Sequence, residues 1–334
     1  MRERFRAAGA FAKEEINVFG KLMNSYYYGK SGKGDYRKED MPHNRWQLFW
    51  EMFRVRFFGL VKLNFAYMLC WIPAMAVLAM TGLSMMNQFA AMVPETGAID
   101  SQMMSEIMDM LNSMLYTGLV LLAPCVAITG PFTAGMTYVV RNWARDEHSF
   151  IWSDFKDAMK DNWKQALVVS VVTGVIPVLV YICWNFYGSM TADSMFMMLP
   201  QMLVLLVLIL WMLALPYFYP LMITYKLKLR DLFRNALLMG VARLPMNVAL
   251  RLGQAVPIVI CLIVTLFVSP MWGPLAMMLY YMCIGFTLSR FVSVSYVQGV
   301  FDKFINSKME GVEVNRGIYQ DPDDEDDEDE EDAE

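Results

Sequence analysis

The sequence predicts an all-α, polytopic membrane protein with six transmembrane helices and cytoplasmic interfacial helices. Three observations carry that expectation. Hydrophobic residues make up 57% of the chain, above the about 45–50% of an ordinary soluble domain. Uncharged apolar runs recur, each reaching the about 20 residues that a helix needs to cross a bilayer. The 28 lysines and arginines fall only in alternate connecting segments, all on one side of the implied membrane.

Taken in order, residues 1–44 form a basic N-terminal arm. Its start, MRERFRAAGAFAKEEINVF, is charged and has no apolar core followed by a cleavage site, so no signal peptide is expected. A weak helical stripe (Phe5, Ala8, Ala12, Ile16, Phe19) leads to a basic, glycine-rich connector from Tyr26 to Gly34. The membrane domain, residues 45–305, opens on Trp46, Phe49, Trp50, Phe53 and Phe57 at helical spacing, with Arg45, Arg54 and Arg56 between them. That pattern predicts a helix lying in the headgroup region, aromatic face down, before the chain turns into a first span at 58–83.

The following loop is rich in methionine, including Met85, Met86, Met92, Met103, Met104 and Met108. Soft thioethers can hold Cu(I), but 31 methionines are spread through every region, and a short packed helix starting near Asp100 is the simpler expectation. The second span, 113–140, leads to a charged segment at 141–164. There Ser153 or Asp154 is placed to cap a surface helix whose apolar face is Phe155, Met159 and Trp163. Spans at 165–188 and 198–225 follow.

The uncharged stretch from Leu252 to Ser289 is 38 residues long. As one helix it would measure about 57 Å against a hydrocarbon core of about 30 Å. Pro270 and Pro274 at its centre predict a hairpin of two spans, 249–269 and 271–293, with Arg251 and Arg290 snorkelling to the interface. Residues 306–334 form an acidic tail. Its last fourteen residues hold twelve of the 33 acidic groups, cannot bury apolar surface and are expected to be disordered.

Charge gives the orientation. Thirteen basic residues lie in the segment up to Lys62, five in 141–164, six in 226–251 and four from Arg290 onward, while the loops between contain none. The positive-inside rule makes that side cytoplasmic, with both termini inside. A five-span chain would place Lys303, Lys308 and Arg316 outside and break the pattern.

Chemistry is harder to find. His43 and His148 stand alone, Cys70, Cys125, Cys183, Cys261 and Cys283 each fall inside apolar runs, and no phosphate loop, nucleophile elbow or HExxH occurs. No enzyme, cofactor, metal centre or nucleic-acid partner is expected. No ionisable residue falls near the centre of a span, which argues against a proton-coupled pump. Asn64, Gln88, Thr129, Thr133, Asn185 and Thr224 are expected to hydrogen-bond between helices. Gly130 and Pro131, with Gly135, should kink the second span and let another helix approach closely. The Asp146-Glu147-His148 triplet is expected to be a solvated cap. On the cytoplasmic face, Arg141, Arg145, Asp154, Arg230 and Asp231 form a candidate contact surface, with Asp154 and Asp231 as partners for Arg145 and Arg230.

Three blocks carry a family resemblance: FFGLVKLN (Phe57–Asn64), TGPFTAGMTYVVRNWARDEHSFIWSDFKDAMKDNWKQA (Thr129–Ala166) and YPLMITYKLKLRDLFRNALLMG (Tyr219–Gly240). In that order, with the spans between them, they cover roughly residues 45–300 and make the chain resemble the YesL family, bacterial integral membrane proteins with a domain of unknown function (624). The resemblance implies a plasma-membrane protein of Gram-positive-type bacteria, with relatives often near carbohydrate-uptake genes. It supplies no catalytic residues. The basic arm and acidic tail go beyond the family's short form. The expected function is an accessory or regulatory component linked to carbohydrate uptake, held in the lipid bilayer beside a membrane partner such as a sugar transporter or sensor kinase. The alternative is a transporter or channel for a small neutral solute.

Overall fold

The computed structural model describes residues 41–92, 100–191, 194–269 and 271–319. The N-terminal stripe and connector, Pro270 and the acidic residues from Asp321 onward lie outside them. The chain divides into two compact units, one made of residues 1–47 and 318–334, the other Leu48–Gly317. In the first, the Tyr319 N–H donates to the Pro42 carbonyl at 2.9 Å, and the rings of His43 and Tyr319 meet edge to face.

The second holds the membrane domain. Its helices are α1 (Arg45–Met92, which begins in the first unit), α2 (Ser101–Ala144), α3 (Ile151–Thr191), α4 (Met198–Thr224), α5 (Leu229–Ala242), α6 (Leu244–Phe267), α7 (Trp272–Tyr280) and α8 (Phe286–Phe304). A π turn at Tyr281–Gly285 joins α7 to α8, so the last span is continuous. No strand occurs among the described residues, and six helical segments are long and apolar enough to cross a membrane. Large apolar side chains such as Leu266, Phe267, Leu203 and Val207 are exposed along these helices, the surface that lipid covers. The chain is an all-α, multi-pass membrane protein.

The last pair of spans separates at Val268–Met271, where the SPMWGP sequence predicted a break. The interfacial helices differ from expectation. The aromatic segment before the first span is not a separate helix: α1 runs unbroken for 48 residues, about 72 Å. Its aromatics have a protein partner, since Phe49 stacks on Phe291 of α8 with centroids 5.0 Å apart and Leu48 and Met52 are buried. Similarly, the surface helix expected around Asp154 is the first part of the 41-residue α3. Its Phe155 is buried against Gly135 of α2 rather than in lipid. The short helix near Asp100 is the start of α2, where the Asp100 carboxylate accepts from the Met103 N–H at 2.7 Å.

A core cluster of buried residues sits toward the end of the bundle that carries the basic residues. Trp211, Tyr217, Phe218 and Leu221 of α4 pack against Ala134 of α2, Val169 of α3, Leu232 and Ala236 of α5, and Val297 and Phe301 of α8. α5 is short and amphipathic, and Gly240 brings it onto the α4 backbone at Ala214. Asn247 of α6 then donates to the Met239 and Gly240 carbonyls at the end of α5 while accepting from the Tyr217 hydroxyl at 2.6 Å.

Candidate functional site

A proline inside a helix leaves the carbonyl four residues earlier without its usual donor, and in a bilayer another protein group must supply one. Pro131 frees the Ala127 carbonyl, and the Ser170 hydroxyl of α3 donates to it at 2.6 Å. Pro216 frees the Met212 carbonyl, and Arg251 of α6 donates to it through Nε at 2.8 Å and through Nη2. The π turn needs similar help. Asn64 of α1 donates to the Tyr281 and Met282 carbonyls at 2.9 and 2.8 Å and accepts from the Thr287 N–H at 3.1 Å.

These repairs surround a cavity of about 220 Å³. Every one of the six spans contributes to its wall: Tyr67 and Trp71 from α1, Thr129 and Thr133 from α2, Ser170 and Thr173 from α3, Tyr219 from α4, Arg251 and Gln254 from α6, and Ser289, Arg290 and Ser293 from α8. The Tyr67 and Thr133 hydroxyls are 2.7 Å apart. Thr133 donates to its own helix at Thr129, which makes Tyr67 the donor between them. Arg251 Nη1 donates to Gln254 Oε1 at 3.0 Å, and Gln254 Nε2 donates onward to Ser293 Oγ at 2.6 Å. The Arg290 guanidinium lies over the Tyr219 ring, 5.1 Å from its centroid. No carboxylate is among the lining residues. The cavity sits toward the basic end of the bundle: Thr133 precedes Arg141 by two turns, about 12 Å along α2.

The expectation that Arg251 and Arg290 snorkel outward is therefore corrected. Both line the interior cavity, Arg251 because Met212 offers an acceptor without a donor, Arg290 because Tyr219 offers the face of a ring.

The other candidate residues occupy two places. Gly130 and Gly135 make the close approach expected of them. A Cβ on Gly130 would overlap the Ser170 hydroxyl and the Ala166 carbonyl, and one on Gly135 would stand 2.6 Å from the Phe155 carbonyl. Pro131 lies within a continuous α2. At the basic end, the pairing of Asp154 with Arg145 is corrected. Asp154 instead accepts from the Phe150 N–H at 2.8 Å and the Ser149 hydroxyl at 2.6 Å, holding the start of α3. Arg145 pairs with Glu147 at 3.2 Å, as do Arg141 at 3.6 Å and Arg316 at 3.3 Å. Asp146 makes this reachable: its left-handed φ of 55° folds the chain back, so that the Glu147 N–H bonds the Asn142 carbonyl. Arg230 and Asp231 are exposed at the start of α5, and no ion pair joins them among the described residues.

Glu147, expected to be a solvated cap, is thus the hub of three arginines. Its side chain is 17% exposed, against 70% for Glu313, which also pairs with Arg316. Glu147→Gln is expected to destabilise the protein by about 2 kcal/mol, the scale of a hydrogen bond to a charged group. Glu313→Gln should change it by no more than about 0.5 kcal/mol. Thermal unfolding in a mild detergent reads both, and equal effects would remove Glu147 from that role.

The architecture and cavity define a polytopic α-helical membrane protein with a chamber of mixed polar and apolar lining between its spans. Residues 110–184, which run from α2 through most of α3, match a family model described as a protein of unknown function, DUF624. The YesL family is a DUF624 family, so the resemblance read from the sequence holds over this helical hairpin. No curated protein and no solved structure matches the chain.

Proposed function

We propose that the chain is a non-enzymatic, multi-pass protein of the bacterial plasma membrane, with both termini cytoplasmic, that admits a small polar solute to a chamber between its spans as a transporter or channel. The observation that supports this most is the cavity wall. All six spans contribute to it, and hydroxyl, amide and guanidinium side chains stand on it among apolar ones such as Val126, Met136, Leu215 and Phe286. Interior polar side chains in a membrane domain are expensive and mark solute paths.

The test is osmotic swelling of proteoliposomes with small solutes: glycerol, ribose, acetate and phosphate. Permeation above that of protein-free liposomes is expected for at least one of them. Thr173→Phe, which places a ring in the chamber from a half-buried position on α3, should slow it by about tenfold or more. No permeation with any solute, together with a stoichiometric membrane partner in a mild-detergent pull-down, would overturn this reading.

That outcome would favour the second reading, an accessory or regulatory component linked to carbohydrate uptake and paired with a sugar transporter or sensor kinase. A specific feature supports it. Asp154, Asp157 and Asp161 line one cleft with Lys226 at the basic end, and Arg230 and Asp231 are exposed on the neighbouring helix.

A further inference from the structure

The two arginines in the chamber differ in what they have left to offer. Arg251 is used: its Nε and Nη2 hold the Met212 carbonyl and its Nη1 holds Gln254. Arg290 is not. Its flat face rests on Tyr219, and among the described residues its N–H groups make no hydrogen bond and no ion pair. A guanidinium has five donors and no acceptor, in a fork that matches two oxygens of one anion. Stacking on a ring fixes the plane of that fork without using any donor.

Trp71 lines the same chamber, and its buried indole N–H makes no well-formed hydrogen bond, with the Tyr67 hydroxyl the group beside it. Two positive charges stand in the wall with no carboxylate beside them. A group that brings acceptor oxygens and negative charge would satisfy both deficits. The volume of the chamber is about 220 Å³. That is below the about 300–1,000 Å³ of sites for drug-sized ligands.

We propose that the chamber is a binding site for a small oxyanion, a phosphate, sulfate or short carboxylate group, held by the Arg290 guanidinium. The inference rests on the solute-binding reading above and narrows its small polar solute to an anion. The oxyanion comes either from a free ion or from the headgroup of an anionic phospholipid, because the chamber lies between membrane spans.

The experiment uses the full-length protein, purified in neutral detergent and stripped of lipid. Radiolabelled inorganic phosphate is one probe. Stabilisation by phosphatidylglycerol, compared with phosphatidylcholine, is the other. Saturable phosphate binding, displaced by sulfate, weakened at least tenfold by Arg290→Gln and less severely by Arg290→Lys, which keeps the charge but loses the stacked fork, is the expected result and identifies a free ion. Failure of phosphate to bind, with stabilisation by phosphatidylglycerol that Arg290→Gln abolishes, supports the same site with a lipid headgroup as its ligand. If wild-type protein responds to neither probe, the proposal is overturned, whatever the variants do. If neutral solutes permeate proteoliposomes at a rate that Arg290→Gln leaves unchanged and Thr173→Phe slows, the anion inference fails while the chamber keeps its solute role.

Discussion

Gly130→Leu is expected to prevent the α2–α3 hairpin from closing and to give the largest loss of stability of any single change in the spans. A side chain at this position meets backbone as well as side chain, because the Ala166 carbonyl and the Ser170 hydroxyl both occupy the place of its Cβ. Overpacking of this kind costs about 1–3 kcal/mol where neighbours can shift. Here the neighbour that must shift is also a donor. Moving Ser170 takes its proton from the Ala127 carbonyl, which Pro131 has already deprived of a helical partner, and a buried acceptor left alone costs about 1–3 kcal/mol more. The two together come to about 4 kcal/mol. Gly82→Leu is the control, since nothing lies within 4 Å of a Cβ there, and it should leave the melting temperature in detergent nearly unchanged. Equal melting temperatures for the two variants would show that the helices do not need the close approach.

That contrast marks the limit of what could be read from the residues alone. The number of spans was legible because bilayer thickness sets a length and apolar composition sets a place, and neither depends on which helix neighbours which. The close approach at Gly130 and Gly135 was also legible, since small residues in a span have few other uses. Helix limits were not. Nothing in the residues between Trp46 and Gly59 says whether the chain bends at the membrane surface, and the stack of Phe49 on Phe291 that gives this stretch a protein partner joins residues far apart in sequence.

The same reason hid the chamber. Arg251 looks like an interface residue until Met212 is known to face it, and Met212 matters only because of Pro216. A donor on one helix and a proline-freed carbonyl on another are each ordinary, and register alone makes them a pair. At Glu147 the hidden element was local but conformational. The left-handed turn at Asp146 sends the next side chain back over Arg141 and Arg145, whereas a reading in helical steps sends it away.

Asn64→Leu tests the deepest of these pairings and is expected to destabilise the protein by about 2–4 kcal/mol. Asn64 and Thr287 are both fully buried. The Asn64 amide acts as a peptide group inserted in the ladder of the last span, donating to Tyr281 and Met282 and accepting from the Thr287 N–H. Polar side-chain bonds between membrane helices average only about 0.6 kcal/mol and reach about 1.7 kcal/mol. Those values apply where the unfolded helix can find other partners. Backbone groups in a π turn cannot do so without changing the turn, so the loss should lie above that range.

The turn could relax to α-helix, but it holds one residue more than an α-helical turn. Relaxation would rotate α8 against α7 by about 100° and carry Arg290 off Tyr219. The single variant should therefore lose oxyanion binding as well as stability. Deleting the exposed Cys283 in the Asn64→Leu background removes the extra residue and lets both helices keep their faces. It should recover a substantial part of both losses. A melting temperature for Asn64→Leu equal to that of the wild type would show that the π turn stands without its inserted amide. Recovery of stability by the deletion without recovery of binding would separate the turn from the chamber.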